Sequence, residues 1–210
     1  MLFPEAKYEI EFRCHFSSRE ESYQMLPFLK SSLGLEYDWF DSYHGLDIYR
    51  SGQVLRVGGI LEKGYTRTFL GWKGEDSGSF ANIRREYNEE VSGGVQESQI
   101  MRQFCQKAGA FRAEEIEPAL DRAGYTQFMA YKGNSLVGRD ASLGVNTKLM
   151  FCAILKWPVL VELEKIAGSL AEAQECQKEL YRISRQFNLE NHLVKEEPGT
   201  LLYQKTFGNG

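Results

Sequence analysis

The stretch Lys7-Tyr8-Glu9-Ile10-Glu11-Phe12-Arg13-Cys14-His15 decides how the rest of the chain is read. Side chains of a strand alternate between its faces, so Tyr8, Ile10 and Phe12 fall on one side and Glu9, Glu11, Arg13 and His15 on the other. One such strand is ordinary at a protein surface, where the charged side meets water. The same face chemistry returns in four later stretches: Glu162 and Glu164 alternate with Val161 and Leu163, Arg56 is flanked by Leu55 and Val57, Lys73 follows Trp72, and Arg84 and Glu86 share a face. The opposite faces carry Phe12, Leu70, Tyr87 and Leu163. A closed barrel with helices outside and a charged lumen explains both faces together, provided the lumen holds a metal and an anionic ligand that neutralise it.

Working outward, Ser17 or Ser18 caps a predicted helix running to about residue 33, with Gly34 ending it. Residues 35–43, 46–49, 54–57, 66–73 and 83–91 read as strands, with turns at His44-Gly45, Ser51-Gly52, Gly58-Gly59 and Asp76-Ser77-Gly78. Residues 96–109 read as a helix through Ile100, Phe104 and Ala108. Strands follow at 125–132, 135–139, 148–154 and 159–165. Ser169 opens the longest helix, to about residue 187 through Leu170, Ala173, Leu180 and Ile183, and a last strand fits 201–207. The expected fold class is α+β, a closed eight-stranded antiparallel β-barrel with helices packed outside, and residues 1–210 are expected to form a single domain.

The apolar and charged fractions, 42% and 26%, are those of an ordinary globular chain. A net charge of −4 argues against nucleic acid as the main partner, since that binding needs a basic surface. The N-terminus shows no cationic stretch followed by an apolar run, and the longest apolar run, 149–155, is too short to span a bilayer, so the expected location is the cytoplasm and no membrane partner is expected. Cys14, Cys105, Cys152 and Cys176 are scattered, as free thiols in a reducing compartment would be, and His15, His44 and His192 do not cluster into a metal centre.

The motifs, taken in order, resemble those of the CYTH superfamily, the triphosphate tunnel enzymes that include class IV adenylyl cyclases, thiamine triphosphatases and inorganic triphosphatases. Glu9-Ile10-Glu11-Phe12-Arg13 resembles the family's Glu-x-Glu-x-Lys signature, Asp38-Trp39-Phe40-Asp41 its Asp-x-Tyr-Phe-Asp strand, and Gly52-Gln53-Val54-Leu55-Arg56-Val57 its Gly-x-x-Leu-Arg-Ile. Gly71-Trp72-Lys73-Gly74 resembles Thr-x-Lys-Gly, Arg84-Arg85-Glu86 the Arg-x-Glu strand, and Val161-Glu162-Leu163-Glu164 the late Glu-x-Glu strand. The resemblance covers residues 7–165 and keeps the family order.

What the resemblance implies is specific. Glu9, Glu11, Glu162 and Glu164 are the expected ligands of Mg²⁺ or Mn²⁺. Glu9, Glu11 and Glu86 are the expected catalytic carboxylates, and Arg13, Arg56, Lys73, Arg84 and Lys132 the expected grip on the substrate. Hard divalent ions favour carboxylate oxygens, and guanidinium forks match phosphate oxygens in pairs. The expected activity is metal-dependent hydrolysis of a triphosphate (ATP, thiamine triphosphate or tripolyphosphate) by a monomer or homodimer. A class IV adenylyl cyclase is the alternative, although Leu2-Phe3 stands where those cyclases often have His-Phe. A barrel that binds nucleotide or polyphosphate without turnover is a third reading. It draws on departures from the family pattern: Gly58 replaces an arginine, Asn88 an acid, and Lys132 with Asn134 is a partial match to Lys-x-Arg. Cys152 stands where an aspartate is common, and Lys148 and Arg139 are cations whose strand register the sequence leaves open.

Overall fold

The computed structural model of the chain describes residues 3–106, 109–153 and 155–208. Leu2, Ala108 and Ile154, each used in the sequence reading, lie outside them. The strands are β1 (Lys7–Phe16), β2 (Leu33–His44), β3 (Val54–Glu62), β4 (Tyr65–Lys73), β5 (Asn82–Glu90), β6 (Gln127–Asp140), β7 (Val145–Phe151), β8 (Val159–Ala167) and the two-residue β9 (Leu193–Val194). The helices are α1 (Arg19–Met25), α2 (Leu29–Ser32), α3 (Leu46–Arg50), α4 (Gln99–Cys105), α5 (Ala113–Arg122), α6 (Leu170–Gln186) and α7 (Pro198–Phe207). Hydrogen bonding runs in the order β5-β4-β3-β2-β6-β7-β8-β1 and returns through a pairing of β5 with β1, so eight strands close into the expected antiparallel barrel. Strand β9 adds to β1 at Arg13 and Cys14.

Several elements depart from the sequence reading, each for a local reason. The helix expected up to residue 33 is two, because Pro27 interrupts it; Ser18 caps α1 by accepting from the Glu21 amide. Residues 46–50 form a helix and not a strand: Gly45 turns the chain at φ 72°, and Asp47 and Arg50 stand at the ends the helix dipole favours. Gly58-Gly59 is not a turn but the middle of β3; the reversal comes at Lys63 and Gly64, both at positive φ, as a two-residue hairpin requires. The two strands expected at 125–139 are one, β6, running through Gly133. Helix α5 carries Pro118 and was not anticipated. The strand expected at 201–207 belongs to α7, which Pro198 opens at the first helical position and in which Tyr203 and Phe207, four apart, pack ring to ring at 5.0 Å.

The chain groups into two compact units built from interleaved segments. One contains the segment ending at Lys7 with Tyr37–Asp76 and Arg84–Lys132; the other contains Tyr8–Glu36, Ser77–Ile83 and the segment from Gly133 on. Each has its own core. In the first, Leu55, Val57, Leu70 and Trp72 from β3 and β4 pack with Ile100 and Met101 of α4 and Ile116 and Leu120 of α5. In the second, Ile10, Phe12, Cys14 and Phe16 of β1 and Val159, Val161 and Leu163 of β8 pack with Ala173, Leu180 and Ile183 of α6. The apolar faces of β1, β3, β4 and β8 thus lie under helices, and by alternation their charged faces point the other way.

Candidate functional site

In the second unit the register lines the charged face up in rows. Lys148 of β7 stands opposite Glu162 of β8, which stands opposite Arg13 of β1. The next row holds Arg139 of β6, Asn146 of β7, Glu164 of β8 and Glu11 of β1, and beyond it Glu9 faces Ile166. Arg13 is the centre of a closed network. Its Nε donates to Glu162 Oε1 at 2.9 Å, its Nη1 to Asn82 Oδ1 at 2.7 Å, and its Nη2 pairs with Glu11 Oε2 at 2.6 Å. Burial works against the Arg13 charge, but Glu11, Glu162 and Glu197 outweigh it and the guanidinium stays firmly protonated. Burial likewise works to raise the Glu162 carboxyl, yet Lys148, whose Nζ lies 3.2 Å from Oε2, and Arg13 hold it well below the usual carboxylate range. Arg13 is 2% exposed, whereas the Lys148 side chain is 31% exposed, so Lys148 is the cation of that row that a solute can reach.

In the first unit the corresponding face carries a smaller network. Arg56 of β3 donates to Glu86 of β5 at 3.1 Å and to Asp41 of β2 at 3.5 Å, and the buried Lys73 lies 3.8 Å from the same Glu86 oxygen. Two glycines make room for it. A Cβ on Gly71 would come within 2.5 Å of Asn88 Oδ1 and 3.3 Å of Arg56, and one on Gly58 within 2.6 Å of Asp41 Oδ1. Gly58, where the family pattern has a cation, therefore gives its space to a carboxylate. Tyr131 of β6 is buried here and hydrogen-bonds Tyr43, and burial raises its hydroxyl well above the usual range.

No family model matches the sequence, and no curated protein matches it. Solved structures do match. The PH1819 protein of Pyrococcus horikoshii OT3 superposes with a TM-score of 0.72 at 18% identity, over 94% of this chain and 99% of that one. A putative adenylate cyclase from Vibrio parahaemolyticus gives 0.68 at 12% identity, over 93% and 98%. A putative adenylyl cyclase from Hippeastrum, described as having a dominant triphosphatase activity, gives 0.58 at 12% identity, over 95% of each chain. The fold is the one these solved structures share. At these identities the likeness is one of architecture alone.

Within each unit some of the expected residues come together. Glu9, Glu11, Glu162 and Glu164 share one face on two adjacent strands, with Glu11 and Glu162 buried and the other two half-buried. Arg13 is beside them, enclosed by their carboxylates and not open to a ligand. Arg56, Lys73 and Glu86 form one cluster in the first unit. Arg84 donates through Nη1 to the carbonyls of Gly52 and Gly74 and so braces two turns. Lys132 is exposed, on the face of β6 opposite the buried Tyr131.

Carboxylate oxygens are the donors that magnesium and manganese accept, so the chemistry of Glu9, Glu11 and Glu164 fits such an ion. Among the described residues, no group of three or more His, Cys, Asp or Glu side chains is gathered as a metal would need, and the two buried carboxylates are turned onto Arg13. The donor set fits; its convergence is not preformed. Sequence reasoning missed Asn82, Glu197 and Tyr131. Asn82 opens β5 beside Ile83, and Glu197 is the N-cap residue of a helix read as a strand, so neither carried a local signal.

Proposed function

We propose that this chain is a divalent-metal-dependent phosphohydrolase acting on a small triphosphate. The observation that carries the reading is the pair of adjacent rows in which Lys148, Glu162 and Arg13 lie beside Asn146, Glu164 and Glu11. Cations and hard oxygen donors interleaved at strand spacing suit a ligand that is itself a metal–polyanion complex.

Arg13 acts by position: it fixes the orientation of Glu11 and Glu162 from behind. Lys148 and Arg139 take the phosphate oxygens on that face, and Arg56 and Lys73 offer the same grip on theirs. Glu86, steadied by Arg56, is the carboxylate of the first unit's face suited to orienting a water. Magnesium or manganese, held by Glu9, Glu11 and Glu164, would supply charge neutralisation and a more acidic water. The chemistry needs no protein nucleophile.

The Hippeastrum protein, a putative cyclase with dominant triphosphatase activity, supports hydrolysis over cyclisation. Gly58, which carries no charge, and Lys132, on the face of β6 opposite the buried Tyr131, favour binding without turnover as the second reading. A panel of ATP, thiamine triphosphate and tripolyphosphate with Mg²⁺ or Mn²⁺, followed by release of phosphate, pyrophosphate and cyclic AMP, separates the three. Metal-dependent phosphate release is expected. Pyrophosphate with cyclic AMP makes the chain a cyclase, and thermal stabilisation without product makes it a binding module.

A further inference from the structure

Helix α6 carries a long polar side chain inside its apolar stripe. Ala173, Leu180, Ile183 and Ser184 are buried at helical spacing, and Gln177, one turn after Ala173 and one turn before Tyr181, stands among them half-buried. Its amide is fully engaged on that side. Gln177 Oε1 accepts from three successive backbone amides, those of Ser79 at 3.0 Å, Phe80 at 3.0 Å and Ala81 at 3.2 Å. Successive N–H groups that converge on one point form a concavity suited to negative charge, and here the carboxamide oxygen fills it.

The segment held in this way leads directly into the charged network of the second unit. The Ser77 amide closes the loop by donating to the Ile83 carbonyl at 2.9 Å, and a Cβ on Gly78 would overlap the Ala81 carbonyl, so the turn is tight. Phe80 meets Phe12 of β1 at 5.6 Å between ring centroids and Tyr181 of α6 at 5.1 Å. The residue after Ala81 is Asn82, whose Oδ1 accepts from Arg13 Nη1 at 2.7 Å. Arg13 reaches Glu162 and Glu11 through its other two nitrogens. A line of contacts therefore runs from the middle of α6, through three amides and one asparagine, to the guanidinium that orients both buried carboxylates. Apolar contacts such as those of Phe80 are non-directional, whereas three hydrogen bonds onto one oxygen fix the backbone in both position and rotation. The Asn82–Arg13 bond depends on that precision, because hydrogen bonds weaken steeply with misalignment.

We infer that Gln177 is a positioning residue: by fixing residues 79–81 it aims Asn82 at Arg13, and so sets the direction in which Glu11 and Glu162 present their oxygens. Its consequence for ligand binding rests on the triphosphatase reading; the coupling of Gln177 to Arg13 stands on the contacts alone.

The test compares the full chain with Gln177→Met, which keeps the length and loses the acceptor, Gln177→Glu, which keeps an acceptor oxygen for the three amides, and Asn82→Ala. One readout is the exchange of the Arg13 side-chain N–H protons with water by NMR, with the backbone amides of β8 as the control for global unfolding. The other is calorimetric binding of tripolyphosphate with Mg²⁺. Gln177→Met is expected to speed Arg13 exchange about tenfold, as Asn82→Ala does, which is toward the lower end of what an unsatisfied buried partner costs. Gln177→Glu is expected to stay within about twofold, since a carboxylate accepts from the same amides. Tripolyphosphate binding is expected to weaken about tenfold in Gln177→Met and no further when Asn82→Ala is added, because both act through one link. If Gln177→Met does not fold, Gln177→Asn, one methylene shorter, is read by the same criteria. Arg13 exchange that Gln177→Met leaves unchanged, while Tm falls, makes Gln177 a staple of the loop alone and overturns the inference. Unchanged tripolyphosphate affinity in that variant, or additive weakening in the double variant, overturns it as well. A wild type that does not bind tripolyphosphate ends the triphosphatase reading instead, and the exchange measurement still decides the coupling.

Discussion

Replacing Glu162 by glutamine tests the charged network at the point where its arithmetic is clearest. Glu162 is 7% exposed and accepts from Arg13 Nε at 2.9 Å and Lys148 Nζ at 3.2 Å, so the substitution leaves two cations facing a neutral amide. Breaking a buried pair from one side costs about 3–5 kcal/mol; the partial exposure of Lys148 and the remaining Arg13 partners Glu11 and Asn82 put the expected loss near the lower end, ~3 kcal/mol at pH 7. The pH dependence supplies a second check. The folded carboxyl is depressed below its unfolded value, so its stabilising contribution is complete above the unfolded pKa and is lost as pH falls through that value toward the folded one. Below about pH 4.5 the gap between wild type and Glu162→Gln should therefore close, by up to about 1.4 kcal/mol per pH unit. Urea unfolding of both proteins at pH 7, 5, 4 and 3.5 measures it. A variant as stable as the wild type at pH 7, or a gap that stays constant from pH 5 to 3.5, would refute the placement of Glu162 between two cations.

Three further outcomes are expected. Arg13→Lys keeps the charge but cannot serve Glu162, Asn82 and Glu11 with separate nitrogens; leaving one buried partner unsatisfied costs about 1–3 kcal/mol in denaturant unfolding, and a silent substitution would show that the fork geometry is unimportant. Gly58→Ala, ordinarily mild in a strand, should destabilise by about 1–3 kcal/mol because its Cβ meets Asp41 at 2.6 Å; a variant equal to or above the wild type in Tm shows instead that Asp41 yields without cost. Tripolyphosphate should bind at least tenfold more tightly with Mg²⁺ than with EDTA, and calorimetry showing equal or tighter binding without the metal would remove the metal from the site.

How much of this was legible follows from where each signal resides. Helix α6 could be read outright, since Ser169 caps it by accepting from the Glu172 amide and Ala173, Leu180 and Ile183 repeat at helical spacing. The charged faces of β1 and β8 were legible because period-two alternation is a property of the strand alone. The orientation of β6 was not: Tyr131 and Lys132 are neighbours, either one suits a barrel interior, and the choice is fixed by pairing with distant strands. Gly58-Gly59 misled for a related reason. A glycine pair marks either a turn or a close approach, and only the Asp41 and Phe40 side chains of the facing strand decide between them. Arg13 was correctly placed on the charged face, but its enclosure depends on Asn82 and Glu197, which arrive from elements far along the chain, so its change from ligand grip to internal brace could not be seen locally.

The balance of charge on the second unit's face explains why a metal belongs in the proposed function even though its ligands do not converge beforehand. Glu9, Glu11, Glu162, Glu164 and Glu197 are five carboxylates set against three cations, Arg13, Lys148 and Arg139, which leaves the face two charges negative. Such a face repels a polyanion at short range, and enclosure strengthens the repulsion by lowering the local dielectric. Lys148 alone cannot reverse it, because its ammonium is already shared with Glu162. A divalent ion carried by a triphosphate would reverse the sign of the problem: carboxylates that oppose the bare anion would become donors to the complex, and under the proposed function Glu9, Glu11 and Glu164 are the residues that would hold it. The network around Arg13 has a distinct task, neutralising Glu11 and Glu162, since an uncompensated cluster of buried carboxylates would push the strands apart.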